Sequence, residues 1–138
     1  MESLIQGAIA AQKDMMPDLQ VGKANIRVIG VGGGGSNMVN WLHRKGVDGA
    51  EVAAVNTDKQ HLDIVSADQK ILIGKELTRG LGCGGWPNKG AEAAKENMHE
   101  LRSFLKESDM TFICAGMGGG TGTGGSPVVA QIARELGS

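Results

Sequence analysis

The sequence predicts an α/β fold, a Rossmann-like doubly wound parallel sheet in three αβα layers with four strand–helix units. Three observations carry that reading. Short apolar runs alternate with amphipathic helical stretches along residues 24–138, the pattern of a parallel sheet covered on both faces. Glycine accounts for 23 of the 138 residues, far above ordinary usage. Eighteen of those glycines fall in three clusters, at 30–35, 74–90 and 116–125, and each cluster follows a strand and precedes a helix. In an open parallel sheet such turns gather at the carboxyl ends of the strands, where ligands bind. Three glycine loops therefore aim at one crevice.

Residues 2–16 set Leu4, Ile5, Ala8 and Ile9 on one stripe, which predicts an amphipathic helix docked on the domain or on a partner. Residues 17–23 read as a linker. Residues 26–31 form the first strand, and 36–45 the helix after it, closed by Gly46 in the position a C-terminal cap prefers. Residues 51–55 form a second strand, followed by a short helix over 59–65 with Thr57 or Asp58 at its N-cap. A third strand covers 70–73. Ala91, Ala94, Met98, Leu101 and Leu105 keep helical spacing and predict one continuous helix. The fourth strand is 110–115, and the last helix is expected to begin at Pro127, a residue suited to a first turn. Residues 1–23 thus precede a single small domain at 24–138.

Composition narrows the function. Fourteen Lys+Arg against fifteen Asp+Glu leave a net charge of −1, without the electrostatic footprint of a nucleic-acid or anionic-membrane binder. Cys83 and Cys114 form no CxxC, and His43, His61 and His99 are scattered. No metal-site spacing results, and free thiols in a reducing compartment are expected. No apolar run approaches the ~20 residues of a membrane span, and Glu2 opens the chain without a basic segment. The expectation is a soluble cytoplasmic protein with no direct membrane insertion.

The run Gly30-Val31-Gly32-Gly33-Gly34-Gly35 fits GxGxxG between strand and helix. It reads as a pyrophosphate seat on a helix N-terminus or as a tight turn with close helix–strand packing. The run from Gly116 to Gly125 has seven glycines in ten residues, an anion nest leading into a helix dipole, with Thr121 and Thr123 as hydroxyl donors. The stretch from Gly80 to Pro87 is a third phosphate wall or a long surface loop. Asn56, Thr57 and Asp58 stand where they could reach a phosphate, a Mg²⁺ water shell or a ribose, or cap the next helix. Trp86 could stack on a ligand or support its own loop. There is no GxxxxGK[ST] motif, and no histidine is placed by sequence to activate Cys83.

Residues 116–127 resemble the glycine-rich signature of the tubulin/FtsZ family of GTPases. Residues 31–37 resemble the first phosphate loop of that family and 54–58 its second, while 71–74 with 78–82 resemble the strand and loop near the γ-phosphate. Residues 75–80 look more archaeal than bacterial, and the resemblance covers roughly 24–138. It implies a Rossmann-like domain that binds GTP/GDP, with Mg²⁺ accompanying GTP, and assembles head to tail into protofilaments for cell division. Carried over by position, Gly32, Gly33, Gly34, Gly35, Ser36 and Asn37 line the α/β-phosphate side. Gly118, Gly119, Gly120, Thr121, Gly122 and Thr123 cradle the β-phosphate. Cys83, Gly84 and Gly85 face the γ-phosphate, with Asn56 and Asp58 nearby. The family usually has Ala where Cys83 stands and a small polar residue where Trp86 stands.

The family's guanine-reading and catalytic residues lie beyond the stretch matched. The resemblance thus implies a sheet truncated after its fourth strand–helix unit, with no catalytic residue identified in this chain and a C-terminal half as an implied partner. Two other readings stay open. One is an NAD-type dinucleotide module resting on Gly30–Gly35, although the second strand ends in Asn56-Thr57-Asp58 rather than in an acidic residue. The other is a non-enzymatic scaffold whose site is empty.

Overall fold

A computed structural model describes residues 1–15 and 22–138. The expected linker lies largely outside the described residues. In chain order the elements are α1 (Glu2–Met15), β1 (Ile26–Val31), α2 (Gly32–Lys45), β2 (Ala50–Asn56), α3 (Lys59–Ile64) and β3 (Gln69–Leu72). They continue with α4 (Lys75–Thr78), α5 (Pro87–Glu96), α6 (Met98–Leu105), β4 (Met110–Ala115) and α7 (Thr121–Glu135).

The strands form one parallel sheet in the order β3-β2-β1-β4. Alternate strand residues feed two apolar layers. Ile29, Val31, Ala53 and Val55 pack with Ala93, Leu101, Val129 and Ile132 beneath α5, α6 and α7. Val28, Val52 and Ala54 pack with Val39 of α2 and Leu62 of α3 on the other face. Both faces of the inner strands β1 and β2 are buried, which explains their near-continuous apolar runs. Each fully buried Val or Ile contributes roughly 1.5–3 kcal/mol, so the central strand β1, flanked on both sides, anchors the domain. The doubly wound, three-layer architecture agrees with the sequence reading.

Five elements differ from the expectation. Helix α2 begins at Gly32 rather than at residue 36, and α7 begins at Thr121, so Pro127 lies inside its helix instead of opening it. Glycine is a poor helix former. These runs are helical because the missing side chains let each helix start rest directly on the sheet. The helix expected across 91–105 is broken at Asn97, whose Oδ1 accepts the Gly74 N–H at 2.8 Å while its Nδ2 donates to Glu100 Oε1 at 3.2 Å. The single turn α4, invisible in the sequence pattern, is held by Glu96, whose Oε1 accepts the Glu76 N–H at 2.8 Å. Helix α1 leaves Leu4, Ile5 and Ile9 between 57% and 75% exposed, so its apolar stripe is not docked on the domain. The capping expectations agree: Gly46 donates its N–H to the His43 carbonyl at 3.2 Å, and Asp58 Oδ1 accepts the His61 N–H at 3.0 Å.

Candidate phosphate crevice

The strand order places a topological switch point between β1 and β4, because the chain leaves them toward opposite sides of the sheet. Val31 is level with Ala115 in the parallel register, so Gly32 and Gly116 emerge side by side. The N-termini of α2 and α7 meet there: a β-carbon on Gly32 would lie 2.7 Å from Gly122 N, and one on Gly34 would lie 3.2 Å from Gly116 Cα. Neither helix has an acidic residue in its first turn or a side-chain cap. Two helix-dipole positive ends with uncapped N–H groups therefore converge on one crevice, the arrangement that receives an anion.

The glycines of this crevice fall into two kinds. A β-carbon on Gly30 would strike the Gly35 carbonyl, and one on Gly35 the Cys114 carbonyl. On the α5–α7 side, one on Gly90 would meet the Gly120 carbonyl, and one on Gly124 the Pro87 carbonyl. Gly122 would meet Gly116 O at 2.6 Å, and Gly120 would meet Cys83 Cβ and Trp86 N at 2.9 Å. These glycines let backbones touch. Gly118, Gly119 and Gly85 instead have nothing within 4 Å of a built β-carbon, and Gly33 faces only the His61 ring at 3.8 Å. Gly118 also has a φ of +98°, which a side chain would strain. The packing reading of the first cluster thus describes Gly30 and Gly35, while Gly33 remains open to the crevice.

Polar side chains tie the three loops together. Thr57 Oγ1 and Thr121 Oγ1 lie 2.7 Å apart, and Cys83 Sγ sits 3.5 Å and 3.4 Å from them. All three are buried. The Thr121 hydroxyl is therefore engaged by Thr57, and Thr123 Oγ1 accepts the Gly118 N–H at 3.0 Å, closing the turn. The middle loop is stitched to the end of β2: Lys59 N donates to Gly80 O at 3.0 Å and Gly82 N donates to Thr57 O at 3.2 Å. It is a wall rather than a free surface loop. Trp86, 64% exposed, stands at its rim next to Gly84.

Asn56 is only 3% exposed, and its Oδ1 accepts the N–H groups of Thr57 at 2.9 Å and Asp58 at 3.3 Å. Its Nδ2 lies 3.1 Å from His61 Nδ1, and His61 Nε2 lies 2.8 Å from Asn37 Oδ1. Sequence reasoning left out His61. The available signal was its place in the first turn of a helix that starts at the crevice, three residues after the N-cap Asp58. Ser36, in the second turn of α2, buries a hydroxyl that has no hydrogen-bond partner among the described residues. Burial also raises the Cys114 thiol above its usual range. Among the described residues no cluster of three His, Cys, Asp or Glu side chains could hold a metal, and no helix is long and apolar enough to cross a membrane.

A doubly wound sheet whose switch point gathers two uncapped helix N-termini defines the class of this protein. Residues 25–138 match the Tubulin/FtsZ family, GTPase domain, and the chain belongs to that family. It is 52% identical over 126 residues to cell division protein FtsZ 1 of Methanocaldococcus jannaschii, covering 91% of this chain and 35% of that protein. A solved empty FtsZ dimer of M. jannaschii superposes with a TM-score of 0.84 at 51% identity, over 93% of this chain and 37% of that one. CetZ2 of Haloferax volcanii, in a GTPγS-bound protofilament, superposes at 0.69 with 32% identity, over 78% of this chain and 35% of that one. The chain spans about a third of the length of these relatives.

Proposed function

We propose that this chain is the phosphate-holding part of a cytoplasmic GTPase that polymerises head to tail in cell division. The observation that carries the reading is the convergence of two uncapped helix N-termini, α2 and α7, on open glycines at the switch point. Backbone N–H groups in the first turn of α2, at Gly33 and Gly34, take one side of a diphosphate, and those at Gly118 and Gly119 take the other. Gly84 and Gly85 form the wall toward a third phosphate. The unpartnered Ser36 hydroxyl fits such a ligand, since a buried hydroxyl without a partner costs about 1–3 kcal/mol. Asp58 spends one carboxylate oxygen on the α3 cap; the other would be available to hold a Mg²⁺ accompanying GTP.

Hydrolysis needs more than a cradle. Phosphoryl transfer depends on an oriented water and stabilised charge, and Asn56 commits its carboxamide to the fold. Turnover therefore calls on groups outside these residues. Among the described residues strand β4 has a neighbour on one side only, and it half-exposes Met110 and Phe112. That free edge is where further sheet, a C-terminal half or a second copy pairs. Family membership and the GTPγS-bound protofilament of CetZ2 support guanine nucleotide and filament assembly.

Calorimetry on the purified chain with GDP, ATP and NAD tests the reading. GDP is expected to bind in preference to the others. Preference for NAD, or silence with all three, overturns it.

A further inference from the structure

We propose that His61 is a positioning residue of the crevice: as a neutral ring carrying its proton on Nε2, it holds the Asn37 carboxamide with its NH₂ group turned to an acceptor atom of the bound nucleotide. The role rests on the nucleotide-binding reading above. The geometry starts from Asn56, whose Oδ1 accepts two backbone N–H groups. That fixes which end of the amide is oxygen, so Nδ2 is the end facing His61 Nδ1 at 3.1 Å. An NH₂ group only donates, and Nδ1 must therefore be the unprotonated nitrogen. The proton of a neutral imidazole then sits on Nε2, which donates to Asn37 Oδ1 at 2.8 Å.

The consequence falls on Asn37. With Oδ1 taken, the Asn37 Nδ2 has no hydrogen-bond partner among the described residues and remains a donor. Asn37 is exposed on the outer face of α2, beside Gly34, Met38 and Trp41, one turn beyond the open Gly33. An exposed asparagine left alone would rotate and flip freely. The chain from buried Asn56 through His61 removes that freedom, so the donor is aimed before the ligand arrives, which is how preorganisation strengthens binding. The His61 ring also stands against Gly33, 3.8 Å from where a β-carbon would lie, and walls the open first turn of α2.

The test measures GDP affinity in the parent chain and in His61→Phe, His61→Gln, Asn37→Ala and the His61→Phe/Asn37→Ala pair. Phenylalanine keeps the ring without its polar atoms, whereas glutamine restores one acceptor and one donor. His61→Phe should weaken GDP binding about tenfold, the scale of one well-aimed hydrogen bond, and His61→Gln should stay within about threefold of the parent. In the double-mutant cycle, His61→Phe should add no further loss once Asn37 is alanine. Nitrogen NMR of the parent ring should report protonated Nε2 and bare Nδ1. Parent-like affinity in His61→Phe, independent losses in the cycle, or the opposite tautomer overturns the role while leaving GDP binding itself intact. Absence of GDP binding by the parent overturns the proposed function and this role with it.

Discussion

Gly119 and Gly122 lie three residues apart in one glycine run, yet the fold treats them differently. A β-carbon on Gly122 would meet the Gly116 carbonyl at 2.6 Å, while Gly119 has nothing within 4 Å. The same division separates Gly35, packed on β4, from Gly33, open beside His61. One set of glycines brings α2, α5 and α7 into backbone contact with their neighbours. The other leaves open space in the crevice. In a protein of this class the two sets have to be adjacent, because the packed set is what draws two helix N-termini onto one spot.

Substitutions that separate the sets give the largest effects. Gly124→Ala puts a methyl group against the Pro87 carbonyl and 2.8 Å from Ala91 N. Backbone cannot swing aside as a side chain can, so a loss at or above the upper end of the ~1–3 kcal/mol range for overpacking is expected. Urea unfolding measures it, and an unchanged midpoint would dissolve the distinction drawn here. Gly119→Val should show the opposite pattern. Its stability should stay within about 0.5 kcal/mol of the parent, while GDP affinity falls tenfold or more, about 1.4 kcal/mol, as the side chain fills the crevice. Melting and calorimetry on one sample decide between the two. Gly120→Ala and Gly122→Ala report on folding as well as binding and are poor probes of the crevice alone.

Between these sets stands the Thr57–Thr121–Cys83 triangle. Thr121→Val removes the 2.7 Å hydroxyl contact and leaves the buried Thr57 hydroxyl with Cys83 as its side-chain neighbour, at a cost of about 1 kcal/mol. The double variant Thr57→Val/Thr121→Val should recover part of that loss, because no hydroxyl is then stranded. Equal losses in single and double variants, seen by thermal melting, would remove the triangle as the clasp of the three loops.

The smallest effect lies at the far end of α7, away from both sets. Arg102 and then Gln131 hydrogen-bond the Glu135 carboxylate and hold its carboxyl below the usual range. A carboxyl depressed in the folded state stabilises above its unfolded value, and that contribution is lost as pH falls through the folded one. Glu135 is solvent-exposed, so the gain is slight. The melting-temperature gap between the parent and Arg102→Gln should be present at neutral pH and close below the ordinary carboxylate range. A gap that persists in acid would assign it to packing of the arginine stem.

What the sequence determined alone is what each segment states locally. The apolar runs at 26–31 and 110–115 are strands with those bounds, Gly46 and Asp58 cap their helices, and the three glycine clusters face one crevice. Burial on both faces writes itself into a continuous apolar run, and a cap into one residue type. Tertiary structure decided the rest. Only packing against β1 and β4 makes Gly32–Gly35 and Thr121–Ser126 helical, since the propensity of glycine argues otherwise. Only the order β3-β2-β1-β4 brings Thr57 to Thr121 across 64 residues and His61 to Asn37 across 24. Asn97 breaks a regular helical pattern because Gly74, distant in sequence, needs an acceptor. Each of these is a property of two segments in contact, and a hydrogen bond or backbone contact between them leaves no mark on the periodicity of either one.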